Sequence, residues 1–435
     1  MSFDAIVIGA GCAGFAAATA LAERGARVLV VEARPGIGGR ATAFTDPGTG
    51  ERVDNGQHIL MGCYAETLAF LDRIGASDRV KWQSGLKVSM IDRQGRESTL
   101  ALPSLPSPLH FLAGVLAWDA LTWSERFSVL QAGSALHSDR PAPSGIPVRQ
   151  WLSQMGQAPR LCELFWEPLA LAALNQSIDH ADASSFKRVL DQVFGSDPSC
   201  AALVMPAVPL DEMYAEPSKE WLIARGGEVR VQSPAKVVVD GDRVTGVRVR
   251  DELIAAPLVI STVAWYAFHS LFDTPPPQLT ETAANAAALA SLPIVTVNLW
   301  FDDVAMKEPL LGLPGRNFQW VFDRRAIVGG DASHLSLISS GAERIVAMGN
   351  DALVEMALGE MRDALPAARR ARFRKGLAVR EKRSTFSLAV DAPPRPGTET
   401  GIDGLLLAGD WIETGLPATI ESAVISGHRA AAVAR

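Results

Sequence analysis

The chain contains 435 residues, of which 48% are hydrophobic and 20% charged, and its formal net charge is −7. This composition excludes global disorder, and the length exceeds the roughly 250–300 residues that one hydrophobic core usually serves, which predicts two lobes. Basic residues are scattered, which argues against a nucleic-acid partner. The longest basic run, "PAARRARFRK" (366–375), is expected to coat one face of a helix.

The sequence predicts a cytoplasmic protein without a membrane-spanning helix. Its first residues lead directly into a strand and its four cysteines are far apart, as expected without a signal peptide in a reducing compartment. No apolar run reaches the about 18 residues that a spanning helix needs. The leucine-rich and aromatic segment 105–123 leaves two interpretations open. We favour a buried helix of the core or of a lipid-sized cavity, and peripheral contact with a membrane is the alternative.

The N-terminal elements predict the fold class. A β-rich run, "DAIVIG" (4–9), is followed by a helix of small and apolar residues over 10–26 and by a second strand, "RVLVVEA" (27–33). This βαβ unit is typical of the opening of a doubly wound, Rossmann-type dinucleotide-binding domain. We therefore predict an α/β protein whose first lobe has this fold.

The remaining elements predict a second lobe inserted into the first. We expect a mostly helical insert over about 100–215, a small sheet over 227–262, strands at 293–302 and 332–341, a helix at 351–365, and a final strand, turn and helix. The predicted dinucleotide-binding domain comprises 1–85, 218–273 and 399–435. The predicted α+β substrate domain comprises 86–217, which is mostly helical, and 274–398, which is a sheet with a helix.

A glycine motif marks the cofactor site. Gly9, Gly11 and Gly14 form GxGxxG between the first strand and the first helix, where glycines allow a tight turn and close approach of a pyrophosphate. Glu32 ends the second strand, where a carboxylate accepts hydrogen bonds from ribose hydroxyls. Because a glutamate there repels a 2′-phosphate, the motif predicts FAD or NAD and excludes NADP.

Two further motifs favour FAD. "GIGGR" (36–40) follows Glu32, and "LLLAGDW" (405–411) lies near the C-terminus. Together with the first glycine motif, they resemble the flavoprotein family of amine oxidases and carotenoid desaturases. The resemblance implies that the second glycine cluster and its arginine lie along the pyrophosphate and the ribityl chain, and that Asp410 bonds a ribityl hydroxyl. A helix beginning near "PATIESA" (417–423) would direct its positive end at the flavin pyrimidine.

The resemblance and the motifs together predict one set of FAD-binding residues. It consists of Gly9, Gly11, Cys12, Ala13, Gly14, Glu32, Ala33, Arg34, Gly38, Gly39, Arg40, Asn55, Gly56, Gln57, His58, Val237, Thr262, Gly409, Asp410, Thr419, Ile420 and Ala423. Two members of the set are implied less directly by the resemblance. Val237 matches the position whose backbone holds adenine in the family, and Thr262 matches the strand end beside it. Cys12 and Cys63 are interpreted as small buried residues, the latter with no partner cysteine nearby.

Four segments narrow the resemblance to the squalene-associated branch, the hydroxysqualene dehydroxylase family of bacterial squalene and hopanoid synthesis. They are "DNGQHILMGCY" (54–64), which we call the GQH segment, "FWEPLALAALNQ" (165–176), "REKRSTF" (380–386) and "LAGDWIETGLPATIESAVISG" (407–427). One departure is Ser384, where the family pattern has alanine. The resemblance implies reductive removal of the hydroxyl of a long isoprenoid alcohol by hydride transfer from reduced flavin N5 to an allylic cation.

That reaction needs a proton donor near the flavin. His58 is the first candidate, although a purely orienting role is equally compatible with the sequence. Glu167 is the second, since burial would keep it protonated, although a structural ion pair would account for it as well. Gln57 is predicted to hydrogen-bond the flavin or the substrate hydroxyl.

Two other functions stay open at this stage. A carotenoid or phytoene-type desaturase would run hydride transfer in the opposite direction, and a prenyl-lipid carrier of the same fold would need no flavin. No nicotinamide site or iron–sulfur cysteine set is visible, so the sequence leaves the electron donor unidentified.

Overall fold

A computed structural model describes residues 2–136, 144–195 and 197–434. The strands are β1 (Ala5–Ile8), β2 (Val28–Val31), β3 (Ala43–Thr45), β4 (Arg52–Asp54), β5 (Leu60–Met61), β6 (Val80–Trp82), β7 (Lys87–Ile91), β8 (Glu97–Ala101), β9 (Leu203–Pro206), β10 (Glu228–Arg230), β11 (Ala235–Asp240), β12 (Arg243–Val249), β13 (Glu252–Ala255), β14 (Leu258–Ser261), β15 (Ser291–Phe301), β16 (Leu310–Gly312), β17 (Trp320–Asp323), β18 (His334–Ser339), β19 (Phe373–Phe386) and β20 (Leu405–Leu407). The helices are α1 (Cys12–Glu23), α2 (Ala65–Arg73), α3 (Leu109–Ala117), α4 (Trp123–Leu136), α5 (Val148–Gln154), α6 (Pro159–Leu161), α7 (Glu167–Leu174), α8 (Ala183–Val193), α9 (Glu216–Ile223), α10 (Thr280–Ala288), α11 (Arg324–Val328), α12 (Asn350–Ala364), α13 (Pro366–Arg370) and α14 (Ile420–Val433).

Five parallel strands of the described chain form the dinucleotide-binding sheet, in the order β10-β2-β1-β14-β20. The sequences of β1 (AIVI) and β2 (VLVV) are fully buried because both faces of the sheet are covered. Val7 and Val30 pack on one side against α1 and α14, and Ile6 and Leu29 pack on the other against β11–β13. The predicted α/β fold with a Rossmann-type sheet is thereby confirmed.

The 227–262 segment divides differently from the single small sheet that its sequence predicts. Its first and last strands, β10 and β14, join the parallel sheet, whereas β11, β12 and β13 form a separate antiparallel sheet. Val237, Val244 and Val247 alternate with exposed residues and are buried against the parallel sheet. The alternation that predicted strands therefore supplies one apolar face, which covers the back of the cofactor domain.

Seven strands of the part that the structure describes form the second large sheet, in the order β19-β15-β18-β17-β16-β7-β8. Val295 and Leu337 face the core that includes α12, while Ile294 and Ile338 face the helices α3–α8. The strands at 293–302 and 332–341 and the helix at 351–365 appear as β15, β18 and α12. β19 was not predicted, because a strand at the sheet edge carries charged residues instead of a buried apolar run.

The basic run 366–375 does not coat one helix. It consists of the five-residue helix α13 and the first residues of β19. The Arg369 side chain donates to the carbonyl of Asp363, in the preceding helix α12, at 3.0 Å. The helical expectation was therefore wrong for the second half of the run, where pairing with β15 prevails over helix propensity.

The helical part of the second lobe extends to the GQH segment. Its core contains residues of α3, α4, α5, α7 and α8, and the partly buried side chains of Ile59, Met61 and Cys63 pack against it. Ile59, Met61 and Cys63 thus belong to the wall of the helical lobe, while Leu60 between them is buried in the core of the dinucleotide-binding domain. Among the residues that the structure describes, no helix combines the length and the apolar character required to cross a bilayer.

Candidate active site

The first glycine turn joins β1 to α1 at very short range. Gly9 has a φ of +109°, and a Cβ atom on Gly14 would lie 1.9 Å from the Gly9 carbonyl oxygen. The Thr262 hydroxyl, at the end of β14, donates to the Ile8 carbonyl at 2.8 Å. Gly9, Gly14 and Thr262 therefore meet at the carboxyl end of the sheet, where open α/β sheets bind their ligands.

The second glycine turn faces the first. A Cβ atom on Gly39, whose φ is +61°, would lie 3.3 Å from the Gly11 Cα atom, and the Gly38 amide donates to the Ala10 carbonyl at 2.8 Å. The N-terminus of α1 has no side-chain cap and no acidic residue in its first turn. Its free amides and positive dipole end are thus open beside two bare glycines, which is the environment that a pyrophosphate requires. These residues fit FAD.

Glu32 is anchored to the first turn. Its carboxylate accepts the amide of Ala10 at 2.9 Å and that of Arg34 at 2.8 Å, with Ala33 and Arg34 exposed beside it. The chain that leads to Val237 runs along the same residues, since the Ser233 amide donates to the Glu32 carbonyl at 2.8 Å. Val237 itself lies in β11 and pairs with Val247.

Arg40 joins three of the motifs. Its Nη2 contacts Asp410 Oδ1 at 2.5 Å and its Nη1 donates to the Ser384 carbonyl at 2.7 Å, while Asn55 Nδ2 donates to the Arg40 carbonyl at 3.2 Å. Gly409, with φ of +129°, lies directly before Asp410. Because Arg40 occupies one Asp410 oxygen, the other is left for the polyol contact that the family resemblance implies.

The C-terminal helix begins where the sequence predicts. Thr419 caps α14, with its hydroxyl oxygen accepting the Ser422 amide at 3.1 Å, and Ile420 is the first helical residue. Ser422 Oγ donates to the Asp410 carbonyl at 3.2 Å, and Ala423 is buried. The positive end of α14 is therefore adjacent to Asp410.

Cys12 and Tyr214 lie behind the glycine turns. Burial raises the pKa of the Cys12 thiol to about 12, so it stays protonated and inert, as its interpretation as a small buried residue requires. The buried Tyr214 hydroxyl donates to the Gly38 carbonyl at 2.5 Å and supports the second turn. Nothing in the sequence around Tyr214 indicates this role, because the contact spans 176 residues.

Cys63 does have a cysteine beside it, contrary to expectation. Its amide donates to the Cys200 carbonyl at 3.1 Å, because β9 follows Cys200 and pairs with β5. Both thiols are free, and burial, followed by the neighbouring Cys200, raises the pKa of Cys63 to about 12.

Gln57 is part of a buried polar network that sequence reasoning missed. Its Oε1 accepts from Arg324 Nη1 at 2.9 Å, and the same nitrogen contacts the Asp54 carboxylate. Asp54 Oδ1 also accepts the Leu210 amide at 3.0 Å. The only sequence signal was an aspartate at the start of an apolar run, since a buried carboxylate needs a partner.

His58 is held in its neutral form. Its Nδ1 lies 2.8 Å from the Gly56 carbonyl, and because a carbonyl only accepts, Nδ1 carries the proton and Nε2 is an acceptor. Burial lowers the pKa of the imidazole, outweighing the Gly56 carbonyl and the Asp54 charge, which favour protonation. The geometry suits a hydrogen-bond acceptor better than a ready proton donor.

The lowered pKa of His58 predicts an effect on acid stability. The folded pKa lies below the unfolded value of about 6.5, so the unfolded chain binds the proton first and stability is lost as the pH falls through that value. We expect His58→Gln to lose less of its Tm than the wild type between about pH 7.5 and about pH 5.5. His334 and His428, whose pKa values burial also lowers, maintain part of the slope. Thermal unfolding of both proteins over this pH range checks the prediction, with the exposed His269→Gln as control. An equal change of Tm with pH in His58→Gln and in the wild type would contradict it.

Glu167 begins α7 in the helical lobe. Its Oε2 accepts the amide of Ile178 at 3.1 Å, in the loop that follows its own helix α7. That bond is of the structural kind. Its catalytic role stays a prediction, while the glycine turns, Arg40, the GQH segment, Asp410 and the start of α14 are brought together around one cradle.

The fold and this cradle define an FAD-dependent oxidoreductase. The chain belongs to the family of flavin containing amine oxidoreductases, whose model matches residues 12–434. FAD is its cofactor, and the match favours an enzyme over a flavin-free carrier.

Among known proteins, the chain is similar over its full length to two hydroxysqualene dehydroxylases. It is 26% identical to that of Zymomonas mobilis subsp. mobilis, covering 98% of each chain, and 28% identical to that of Sinorhizobium fredii, covering 98% of this chain and 97% of the other. It is 25% identical to the 15-cis-phytoene desaturase of an Oncidium hybrid cultivar, and the match covers 98% of this chain and 76% of the desaturase. A solved oxidoreductase structure from Methanosarcina mazei shares the fold, with a TM-score of 0.77 and 18% identity. The match covers 98% of this chain and 99% of that one.

Proposed function

We propose that the chain removes the hydroxyl group of hydroxysqualene reductively and releases squalene, as a step of bacterial squalene and hopanoid synthesis. One observation carries the proposal. In the GQH segment, Gln57 and His58 provide polar groups, and the next residues, Ile59, Met61 and Cys63, pack into the apolar core of the helical lobe. A polar end beside an extended apolar wall suits a long hydrocarbon with one hydroxyl. Similarity to the two dehydroxylases supports the same substrate.

The reaction replaces a C–O bond by a C–H bond, consumes two electrons and two protons, and releases water. Reduced FAD supplies the hydride when bound, and an external two-electron donor must regenerate it. The carbon that bears the hydroxyl is allylic, so its C–O bond ionises with modest hydrogen-bond or acid assistance. The apolar helical core, against which Ile59, Met61 and Cys63 pack, keeps water from recapturing the cation.

His58 and Glu167 remain the predicted acid candidates. His58 lies close enough to Arg40 and Asp54 for their charges to act on its pKa, which puts it beside the cradle. Protonation of His58 would require a neighbouring donor to overcome its burial. Glu167→Gln keeps an oxygen that accepts the Ile178 amide and removes only the acid.

A product assay tests the function. The FAD-loaded protein is reduced with dithionite and incubated with hydroxysqualene, and in parallel the oxidised protein is incubated with phytoene and an acceptor. We expect squalene from the first and no desaturated product from the second. The opposite result would support the desaturase, which the similarity to phytoene desaturases makes the second candidate.

Two variants assign the acid in the same assay. Loss of about tenfold or more of kcat in His58→Ala or in Glu167→Gln, with FAD retained, would identify a group that assists proton transfer. Normal turnover by both variants would show that neither is the acid.

We also propose that the protein docks on a lipid bilayer through the outer face of its helical lobe. Leu109, Leu112 and Leu116 on α3 and Trp123 and Phe127 on α4 are exposed, with Phe127 at 66%. We call these five residues the α3–α4 patch. The opposite face of α3 is buried in the core that reaches the GQH segment. The two interpretations of 105–123 thus apply to two faces of one helix, and an insoluble isoprenoid alcohol would enter from the membrane.

Removing the aromatic residues of the patch is expected to weaken lipid binding. Each large side chain that enters an apolar phase contributes about 1.5–3 kcal/mol. Trp123→Ser combined with Phe127→Ser should therefore lower partitioning into phosphatidylcholine and phosphatidylglycerol vesicles by about tenfold or more. Vesicle co-sedimentation measures this, with Leu253→Ser as control, because Leu253 is 58% exposed on β13. Equal partitioning of the double variant and the wild type would refute docking through the patch.

A further inference from the structure

We propose that Gln57 donates the hydrogen bond that recognises the hydroxyl oxygen of the substrate, and that Arg324 is the positioning residue that makes the Gln57 amide a donor. The inference rests on the proposed function and deepens it. It concerns one network, formed by Asp54, Arg324 and Gln57, which links the GQH segment to the end of β17 in the substrate sheet.

The orientation of the Gln57 amide follows from the chemistry of arginine. Arg324 Nη1 lies 2.9 Å from Gln57 Oε1. A guanidinium has donors only, so it can face the oxygen of the amide and not its nitrogen. Gln57 Nε2, with its two hydrogens, is therefore directed away from Arg324.

The network is buried and its charge is compensated. The side chains of Arg324 and Asp54 are 4% and 3% exposed, and they form an ion pair. Asp54 is fixed further by the Leu210 amide at 3.0 Å. Because the Asp54 carboxylate is held by both Arg324 and the Leu210 amide, it fixes the position of the Arg324 guanidinium. The guanidinium in turn fixes the orientation of the Gln57 amide. A donor held in this way needs no rearrangement when the substrate arrives.

The nitrogen of the Gln57 amide is free for a ligand. Within the parts of the chain that the structure describes, no acceptor for Nε2 is found, and this atom is not enclosed, so it keeps access to open space although Gln57 as a whole is only 9% exposed. An accessible donor that the protein itself leaves without an acceptor can bind a ligand or water. The adjoining residues His58 and Arg40 belong to the cofactor cradle, and Ile59 belongs to the apolar wall. Gln57 Nε2 is thus at the boundary between the two, where the alcohol end of the substrate belongs.

This arrangement discriminates between substrate and product. The alcohol oxygen accepts from Nε2, and the bond strengthens as the C–O bond breaks and negative charge develops on the oxygen. Squalene has no oxygen and leaves the donor unsatisfied, which favours its release. Sites that hydrogen-bond a hydroxyl reject analogues that lack it far more strongly than apolar pockets reject a methylene.

Competition binding with radiolabelled hydroxysqualene and squalene in detergent micelles tests the inference without turnover. We expect the FAD-loaded wild type to bind the alcohol about tenfold or more tightly than the hydrocarbon. Gln57→Glu retains oxygens for Arg324 but has no N–H group, so the preference should disappear. The exposed Gln154→Glu, at the end of α5, is the matched control and should keep it.

Arg324 is tested through its coupling to Gln57. Arg324→Met should lose as much preference as Gln57→Glu, and the double variant should lose no more, because both act through one bond. Arg324→Lys retains a donor and should restore part of the preference. If Arg324→Met does not fold, as thermal unfolding would show, the lysine and Gln57→Glu variants decide.

The outcomes separate this inference from the proposed function. A wild type without preference for the alcohol, or a Gln57→Glu variant that keeps it, would overturn the role of the amide. Additive effects of Arg324→Met and Gln57→Glu would overturn the positioning role. A wild type that prefers the alcohol but forms no squalene would contradict the proposed function alone.

Discussion

Gly14→Ala is expected to abolish FAD binding and to destabilise the apoprotein, whereas Gly359→Ala should be neutral or stabilising. A Cβ atom on Gly14 would lie 1.9 Å from the Gly9 carbonyl oxygen, and neither α1 nor β1 can retreat from a contact between backbones. At Gly359, inside α12, nothing lies within 4 Å. Both substitutions gain the helix propensity of alanine, about 0.5–1 kcal/mol, so their difference isolates the steric effect.

Overpacking of this kind costs about 1–3 kcal/mol, and here it also displaces the α1 amides from the pyrophosphate. Urea unfolding of the apoproteins and the flavin absorbance per mole of purified protein are the two measurements. Wild-type FAD content and stability in Gly14→Ala would show that α1 does not approach β1 as closely as described.

Asp410→Ala is expected to have the second largest effect, on both FAD affinity and stability. The variant leaves Arg40 without the carboxylate that its Nη2 contacts at 2.5 Å, in a pair whose side chains are 24% and 10% exposed. Removing one member of a largely buried charged pair costs about 2–3 kcal/mol. The second Asp410 oxygen, which we expect to bind the ribityl chain, is lost as well, so FAD affinity should fall by about tenfold to a hundredfold.

Asp403→Ala is the control for this prediction. Asp403 pairs with Arg243 at 3.3 Å, but these side chains are 71% and 65% exposed. Surface pairs contribute about 0–1 kcal/mol, so stability and FAD affinity should stay close to wild type. Fluorescence titration with FAD and urea unfolding distinguish the two variants. If Asp410→Ala behaved like Asp403→Ala, Arg40 and Asp410 would not form part of the cradle.

Short segments of the sequence were sufficient for the cofactor half of the site. The turn at Gly9–Gly14, the strands β1 and β2, and the start of α14 within 417–423 were all predicted, and each lies at the expected place, with Thr419 as the cap that the structure adds. Their structure depends on local sterics, such as a turn that admits no Cβ atom, or on a hydroxyl that caps an amide three residues away. The sequence placed the motifs of Arg40 and Asp410 along the same cofactor. It did not predict the direct ion pair between the two side chains, which the structure adds.

The sequence alone determined the glycine turns, the FAD cradle and the apolar character of the helical lobe, because these follow from backbone sterics and composition within short windows. Only the tertiary structure decided what surrounds the GQH segment. The contact between Arg324 and Asp54 spans 270 residues, and β19 becomes a strand only because β15 offers it a partner. A buried charge selects its partner by proximity in the folded chain, and no local pattern encodes which distant arginine will be nearest.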